Sequence, residues 1–123
     1  MPADISKAYG QVQKSALSGR AAEAEAFAKS AALLHDVATG VIDPDAYREA
    51  LEKNQKLWTI LQASLKEDEG RLPKDLRQDI LKLSIFVDKQ TLKALAVPAF
   101  VNVEVLIQIN RQIAGGLFKK PEN

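Results

Sequence analysis

The chain has 123 residues, 46% of them hydrophobic, which suits a single domain with one core. Seventeen basic residues face sixteen acidic ones, and a formal net charge of +1 creates no long-range field to attract nucleic acid or an anionic membrane. Cysteine is absent, which excludes disulfide bonds and thiolate metal sites, and a single histidine argues against catalytic zinc.

The N-terminal segment does not have the pattern of a targeting signal. Met1-Pro2-Ala3-Asp4 lacks a positively charged region, and no apolar stretch follows it. No segment of the sequence approaches the ~18 uninterrupted apolar residues that cross a membrane. We therefore expect a cytoplasmic protein that has no membrane partner.

Apolar residues recur at helical spacing along the whole chain, and no convincing strand is found. The pattern predicts helices over about 4–17, 20–39, 44–66, 73–95 and 99–115. The expected fold is an all-α, single small bundle of about five helices. We expect this domain to cover residues 1–118 and residues 119–123 to form a frayed tail.

The third predicted helix has the clearest start and the clearest apolar stripe. Asp43 is placed as an N-cap and Pro44 as the first helical residue, while Gly40 is placed to end the helix before it. Trp58 lies in the middle of the stripe, so we expect a core position. Asn54 lies there too and needs hydrogen-bond partners, for which a helix end or loop backbone is expected. The proposed core signature comprises Asn54, Leu57, Trp58, Leu61 and Arg77.

The fourth predicted helix has apolar residues on two sides. One stripe comprises Leu76, Ile80, Leu83, Val87 and Ala94, and the other comprises Leu81, Ile85 and Leu92. A helix with two apolar faces is normally central in a bundle, so we expect the fourth helix to be the central one. Pro98 prevents the helix from continuing.

The fifth predicted helix has an apolar arc of roughly 200°, wider than one-sided packing requires. A strand over 97–109 is rejected because it would have no partner. Either the first helix covers Val105 and Ile109, or the arc forms a groove for a helix of another protein. For the second case the candidate partner-binding residues are Val101, Val105, Ile109 and Gln112. Gly115 and Gly116 are expected to end this helix.

No constellation of catalytic residues can be assembled. His35 and Asp36 are sequence neighbours and do not face each other on a helix. Glu49 and Lys53 fit an i,i+4 surface pair. Lys82, Lys89 and Lys93 share one helix face, but no aromatic residue is interleaved with them as a stacking platform, so direct RNA binding is not expected. We expect no enzyme activity, cofactor, metal ion or small-molecule substrate.

Three segments resemble the FlaF family, small regulators of flagellar biosynthesis in alphaproteobacteria. The first is Asn54-Gln55-Lys56-Leu57-Trp58-Thr59-Ile60-Leu61, and the second is Arg71-Leu72-Pro73-Lys74-Asp75-Leu76-Arg77. The third is the helix at 105–117. The segment Ala8-Tyr9-x-x-Val12-Gln13 fits the same family, so the resemblance covers most of the chain.

The resemblance implies a function that the residues alone do not provide. FlaF proteins promote flagellin production and filament assembly after transcription, in opposition to the repressor FlbT. The implied role is that of a chaperone that binds new flagellin, whose terminal segments are long amphipathic helices. The alternative is a regulator that acts through FlbT or the flagellin message instead of binding flagellin.

Overall fold

The computed structural model describes residues 22–67 and 73–118, apart from the side chains of the last two residues. These residues form α1 over 22–38, α2 over Pro44–Lys66, α3 over Lys74–Ala96 and α4 over Phe100–Phe118. No strand occurs among them, which confirms the all-α class. The described part contains four helices instead of about five, and the first predicted helix, over 4–17, lies outside it.

The start of α2 and the end of α1 follow the predicted capping residues. The Asp43 carboxylate accepts a hydrogen bond of 3.0 Å from the Asp45 amide, and Pro44 is the first helical residue. Gly40 has a φ of 72°, a left-handed conformation in which a side chain would be strained. Local chemistry therefore fixes the turn between α1 and α2.

Contacts between side chains define an up-down-up-down arrangement. Ser30 and Phe27 of α1 contact Asn54 and Trp58 of α2, so these two helices run antiparallel. The hydroxyl of Tyr47, near the start of α2, donates a hydrogen bond to the backbone carbonyl of Ala94, near the end of α3. Each helix is thus antiparallel to the next, as short connections favour.

One continuous core joins the four helices. Trp58 and Phe27 are fully buried and meet edge to face, with ring centroids 5.3 Å apart and an interplanar angle of 79°. The largest other fully buried apolar side chains are Leu34, Leu51, Leu61, Leu106, Val87 and Val103. All four described helices therefore depend on the same apolar centre.

The expectation that the fourth predicted helix, α3, has two buried faces is corrected by the structure, although α3 does pack against both α2 and α4. Its buried side chains lie on one face: Ile80, Ser84, Val87, Thr91 and Ala94. Ile85 and Leu92, from the second predicted stripe, are 58% and 64% exposed, and Leu76 of the first stripe is exposed as well. The helix with the wider buried arc is α4, which contacts α1, α2 and α3.

Two small hydroxyl side chains explain why the buried face of α3 was misjudged. Ser84 donates a 2.6 Å hydrogen bond to the Leu81 carbonyl, and Thr91 donates one of 2.7 Å to the Val87 carbonyl. A hydroxyl that bonds its own helix can be buried without another partner. The buried face therefore includes Ser84 and Thr91 beside the first predicted stripe, and it ends before Ile85 and Leu92.

The predicted end of the last helix is also corrected. α4 continues through Gly115 and Gly116 to Phe118. Neither glycine has a positive φ, so neither has the left-handed conformation of a helix cap. Interior glycines only weaken a helix, and continued hydrogen bonding can outweigh that cost.

Candidate functional site

The outer face of α4 holds most of the residues that the sequence nominates for partner binding. Val101 is 69% exposed and Gln112 is exposed, while Val105 is half-buried at the border of the same face. We call these three residues the α4 ridge. Ile109, the fourth candidate, is only 8% exposed and belongs to the core cluster. The structure therefore brings three of the four candidates to or beside the surface.

The wide apolar arc of α4 is mostly used inside the bundle. Its buried side chains, in chain order, are Asn102, Val103, Leu106, Ile107, Ile109, Asn110 and Ala114. Around the helix they span roughly 160° at ~100° per residue. The alternative that the first predicted helix covers Val105 and Ile109 involves residues outside the described part. Among the described side chains of α4, Val101 is the most exposed large apolar one.

A buried polar network holds α4 against α1 and α2. The Asn54 side-chain carbonyl accepts hydrogen bonds from the Ser30 hydroxyl at 2.9 Å and from the Asn110 amide at 2.7 Å. The Trp58 indole N–H donates to the Asn110 carbonyl oxygen at 3.0 Å. Asn54 therefore bonds side chains and not the helix end or loop backbone that the sequence suggested. Its Nδ2 has no partner among the described residues.

This network fixes the rotation of α4 about its axis. Asn54, Trp58 and Asn110 are each fully buried, and an unpaired buried polar group costs about 1–3 kcal/mol. A rotation of α4 would break the bonds of Asn110 with both Trp58 and Asn54. The face that α4 exposes, with Val101 and Gln112, is therefore set by polar groups on its opposite side.

A second set of hydrogen bonds fixes the turn between α3 and α4. Ala94 lies four residues before Pro98, which has no backbone N–H, so the Ala94 carbonyl lacks its normal helical donor. The Tyr47 hydroxyl supplies that donor at 2.7 Å. The side-chain amide of Asn102 donates to the backbone carbonyl of Val97 at 2.7 Å. The side-chain amide of Gln90 donates to the backbone carbonyl of Asn102 at 2.8 Å.

Tyr47 is the residue of the described part with a perturbed ionisation. Burial raises the pKa of its hydroxyl above 10.0, and a backbone hydrogen bond with Ala99 opposes this shift. The raised pKa keeps the hydroxyl protonated, which it must be to donate to Ala94. The protonated side chain therefore holds the start of α2 against the end of α3.

Phe86 was not selected from the sequence, yet it lies beside the candidate surface. It is 43% exposed on α3, one turn before Gln90. Because Gln90 pairs with Asn102, the antiparallel register places Phe86 opposite the turn of α4 that holds Val105. In the sequence Phe86 lies four residues after Lys82, three before Lys89 and seven before Lys93. The expectation that no aromatic residue is interleaved with these lysines is therefore corrected.

The remaining residues considered for chemistry lie on the surface. His35 and Asp36 are exposed, with Nδ1 and Oδ1 3.8 Å apart, and the His35 ring meets Phe100 edge to face at 5.9 Å. Glu49 and Lys53 form the expected i,i+4 pair at 3.2 Å. Of the proposed core signature, Leu61 is buried, whereas Leu57 and Arg77 are half-buried. Among the described residues no group of three potential metal ligands is found.

Comparison with known proteins gives a clear result at the level of the family. No helix of the described part is both long enough and apolar enough to cross a membrane. No curated protein and no solved structure matches the chain. The family model for the flagellar protein FlaF matches residues 5–117 of the chain. This range includes α1, α2, α3 and almost all of α4. The chain belongs to the FlaF family of flagellar proteins.

Proposed function

We propose that this protein is a cytoplasmic, non-enzymatic chaperone that binds flagellin and promotes flagellin synthesis and secretion after transcription. Membership of a flagellar family supports the process. The observation that carries the binding role is Val101, an aliphatic side chain left 69% exposed on a helix whose rotation is fixed by buried hydrogen bonds. A fixed apolar ridge suits a partner that presents an amphipathic helix.

The neighbouring residues extend this surface. Val105 lies one turn after Val101 and is half-buried, and Phe86 is exposed across the α3–α4 border. Phenylalanine and other aromatic residues are enriched at the apolar centres of protein interfaces. Gln112 would lie at the polar edge of such a contact.

Binding to purified monomeric flagellin tests this proposal. Val101→Asp and Val105→Asp would bury an unpaired charge on binding, which costs several kcal/mol, and ~1.4 kcal/mol already corresponds to a tenfold loss of affinity. Ile60→Asp is the matched control, because Ile60 is 59% exposed on α2 and lies opposite Trp58 on that helix. We expect about tenfold or greater weakening for the two ridge variants and none for the control.

Thermal unfolding of each variant separates binding from folding. Val101→Asp should melt like the parent because its side chain is exposed, whereas Ile109→Asp should unfold because a charge would enter the core. Equal flagellin affinity for Val101→Asp, Ile60→Asp and the parent would show that the ridge does not bind flagellin.

A second candidate function is supported by Phe86. This exposed ring lies among Lys82, Lys89 and Lys93, and an aromatic side chain between basic groups suits single-stranded RNA. This observation supports the form of the alternative role in which the protein contacts the flagellin message, and it does not bear on FlbT. RNA binding should weaken steeply with salt and should be lost in Phe86→Ala, whereas apolar flagellin binding should depend little on salt.

A further inference from the structure

The strongest surface feature outside the α4 ridge is an apolar strip on the outer side of α3. Ile85 and Leu92 are 58% and 64% exposed, and half-buried Leu81 lies one turn before Ile85. Their spacing of four and seven residues places all three on one face of the helix. We call Leu81, Ile85 and Leu92 the α3 strip. It extends over about three turns, or roughly 16 Å at ~1.5 Å per residue.

One border of the strip is basic. Lys82, Lys89 and Lys93 repeat at seven and four residues and therefore occupy the next face round the helix, where Asp75, before the start of the strip, is the acidic residue. None of them forms an ion pair within the described part, although Lys29 and Lys53 on the other helices do. The opposite border carries Arg77 and Asp88, whose charges offset each other.

A second copy of this chain is a poor occupant of the strip. Two copies paired antiparallel about a two-fold axis would bring the same border of each helix together, and the lysines would repel. A parallel pair would place the lysines opposite both Arg77 and Asp88, with no net attraction. The charge pattern therefore favours a partner of a different sequence.

We propose that the α3 strip binds an amphipathic helix of another protein, one whose apolar stripe is bordered by Asp or Glu. The apolar stripe would cover Ile85 and Leu92, and the acidic border would pair with Lys82, Lys89 and Lys93. Such complementary borders select partners and their orientation more than they add affinity. This surface lies on the other side of the lysines from Phe86 and is separate from the α4 ridge.

The test uses synthetic helical peptides of about 20 residues, long enough to span the strip. One carries a leucine stripe bordered by glutamates, and its matched control carries lysines at the same border positions. Fluorescence anisotropy with the full chain measures both. We expect the glutamate peptide to bind at least about tenfold tighter, a difference of ~1.4 kcal/mol. Equal binding of the two peptides, or no binding of either, would overturn the proposal.

Variants then assign the surface. Leu92→Asp should abolish binding of the glutamate peptide, and the triple variant Lys82→Glu, Lys89→Glu, Lys93→Glu should prefer the lysine peptide. Val101→Asp and Ile60→Asp should bind the glutamate peptide like the parent, which keeps this result independent of flagellin binding. All the altered side chains are exposed, so the melting temperature should not fall greatly.

Two other occupants are distinguished in the same series. A dimer in analytical ultracentrifugation that Leu92→Asp dissociates would show that a second copy covers the strip, and would overturn the proposal. A single-stranded polyuridine RNA that competes with the glutamate peptide and needs the three lysines but not Leu92 would also overturn it, because aliphatic burial would then have no role.

Discussion

At the scale of single residues, Tyr47 links a sequence irregularity to a tertiary contact. Pro98 deprives the Ala94 carbonyl of its helical donor, and the Tyr47 hydroxyl replaces that donor at 2.7 Å. Tyr47→Phe keeps the buried ring but leaves this carbonyl unpaired, which should lower the free energy of unfolding by roughly 1–3 kcal/mol. Urea unfolding near neutral pH measures the loss.

The same substitution should change the alkaline limit of stability. Because the pKa of Tyr47 is raised in the folded protein above its usual 10.0, the folded state holds this proton to higher pH than the unfolded state. The stabilisation is therefore complete below about pH 10 and declines as pH rises through the folded-state pKa. The stability difference between parent and Tyr47→Phe should therefore be constant up to about pH 10 and shrink as pH rises above it. A difference that also stays constant above that pH would contradict this assignment.

Two substitutions of Trp58 separate the stability contributed by its packing from that contributed by its hydrogen bond. Trp58→Ala removes a fully buried indole and should cost about 3–5 kcal/mol. Trp58→Phe retains most of the packing against Phe27 but leaves the Asn110 carbonyl oxygen without its donor, at a cost of roughly 1–3 kcal/mol. Denaturant unfolding should rank the parent first, then Trp58→Phe, then Trp58→Ala. A phenylalanine variant as stable as the parent would show that the hydrogen bond contributes nothing.

At the scale of helices, replacing glycines by alanine should raise the stability of the protein at two positions and lower it at a third. Gly115 and Gly116 lie inside α4, have no positive φ, and an added Cβ would meet nothing within 4 Å. Gly115→Ala and Gly116→Ala should each stabilise the protein by about 0.4–1 kcal/mol, because alanine restricts the unfolded chain more. Gly40→Ala should destabilise it by about 1 kcal/mol or more, because φ is 72° there. Melting temperatures check all three signs.

The same helices show what could be read from the sequence. Asp43 and Pro44 mark the start of α2 through local capping chemistry, and Pro98 limits α3 through local sterics, so both were predictable. The buried face of α3 was not, because burial of Ser84 and Thr91 depends on hydroxyls that bond their own helix. Likewise, the pairing of Asn54 with Ser30 and Asn110 joins three helices, and no local pattern specifies such a pairing.

The candidate site shows the same division. The exposure of Val101 and Gln112 follows from the helical spacing of α4, but the burial of Ile109 depends on how wide an arc the neighbouring helices cover. A sequence pattern shows an excess of apolar surface without showing which part of it is covered. Only the packed structure shows that Ile109 is covered while Val101 is not, and only it adds Phe86 across the α3–α4 border. Helical spacing had placed Val101 and Ile109 together as candidates.

At the scale of the whole molecule, the two hydrogen-bond sets should make the bundle unfold as one unit. The Asn54 network joins α1, α2 and α4, and the Tyr47 and Gln90 bonds join α2, α3 and α4. No described helix can therefore leave without breaking buried polar contacts in the others. Trp58 is the only tryptophan of the chain and lies at the junction of α1, α2 and α4, so its fluorescence reports tertiary packing.

We expect tryptophan fluorescence and far-ultraviolet circular dichroism to give the same urea midpoint, because coincident transitions are the mark of two-state unfolding in small domains. Asn110→Ala removes the residue that α4 contributes to the Asn54 network, so it should lower both midpoints together. A fluorescence change that precedes the loss of helix would show instead that α4 detaches first. In that case the α4 ridge would lie on a helix able to move independently, and the rigid surface proposed for flagellin binding would have to be abandoned.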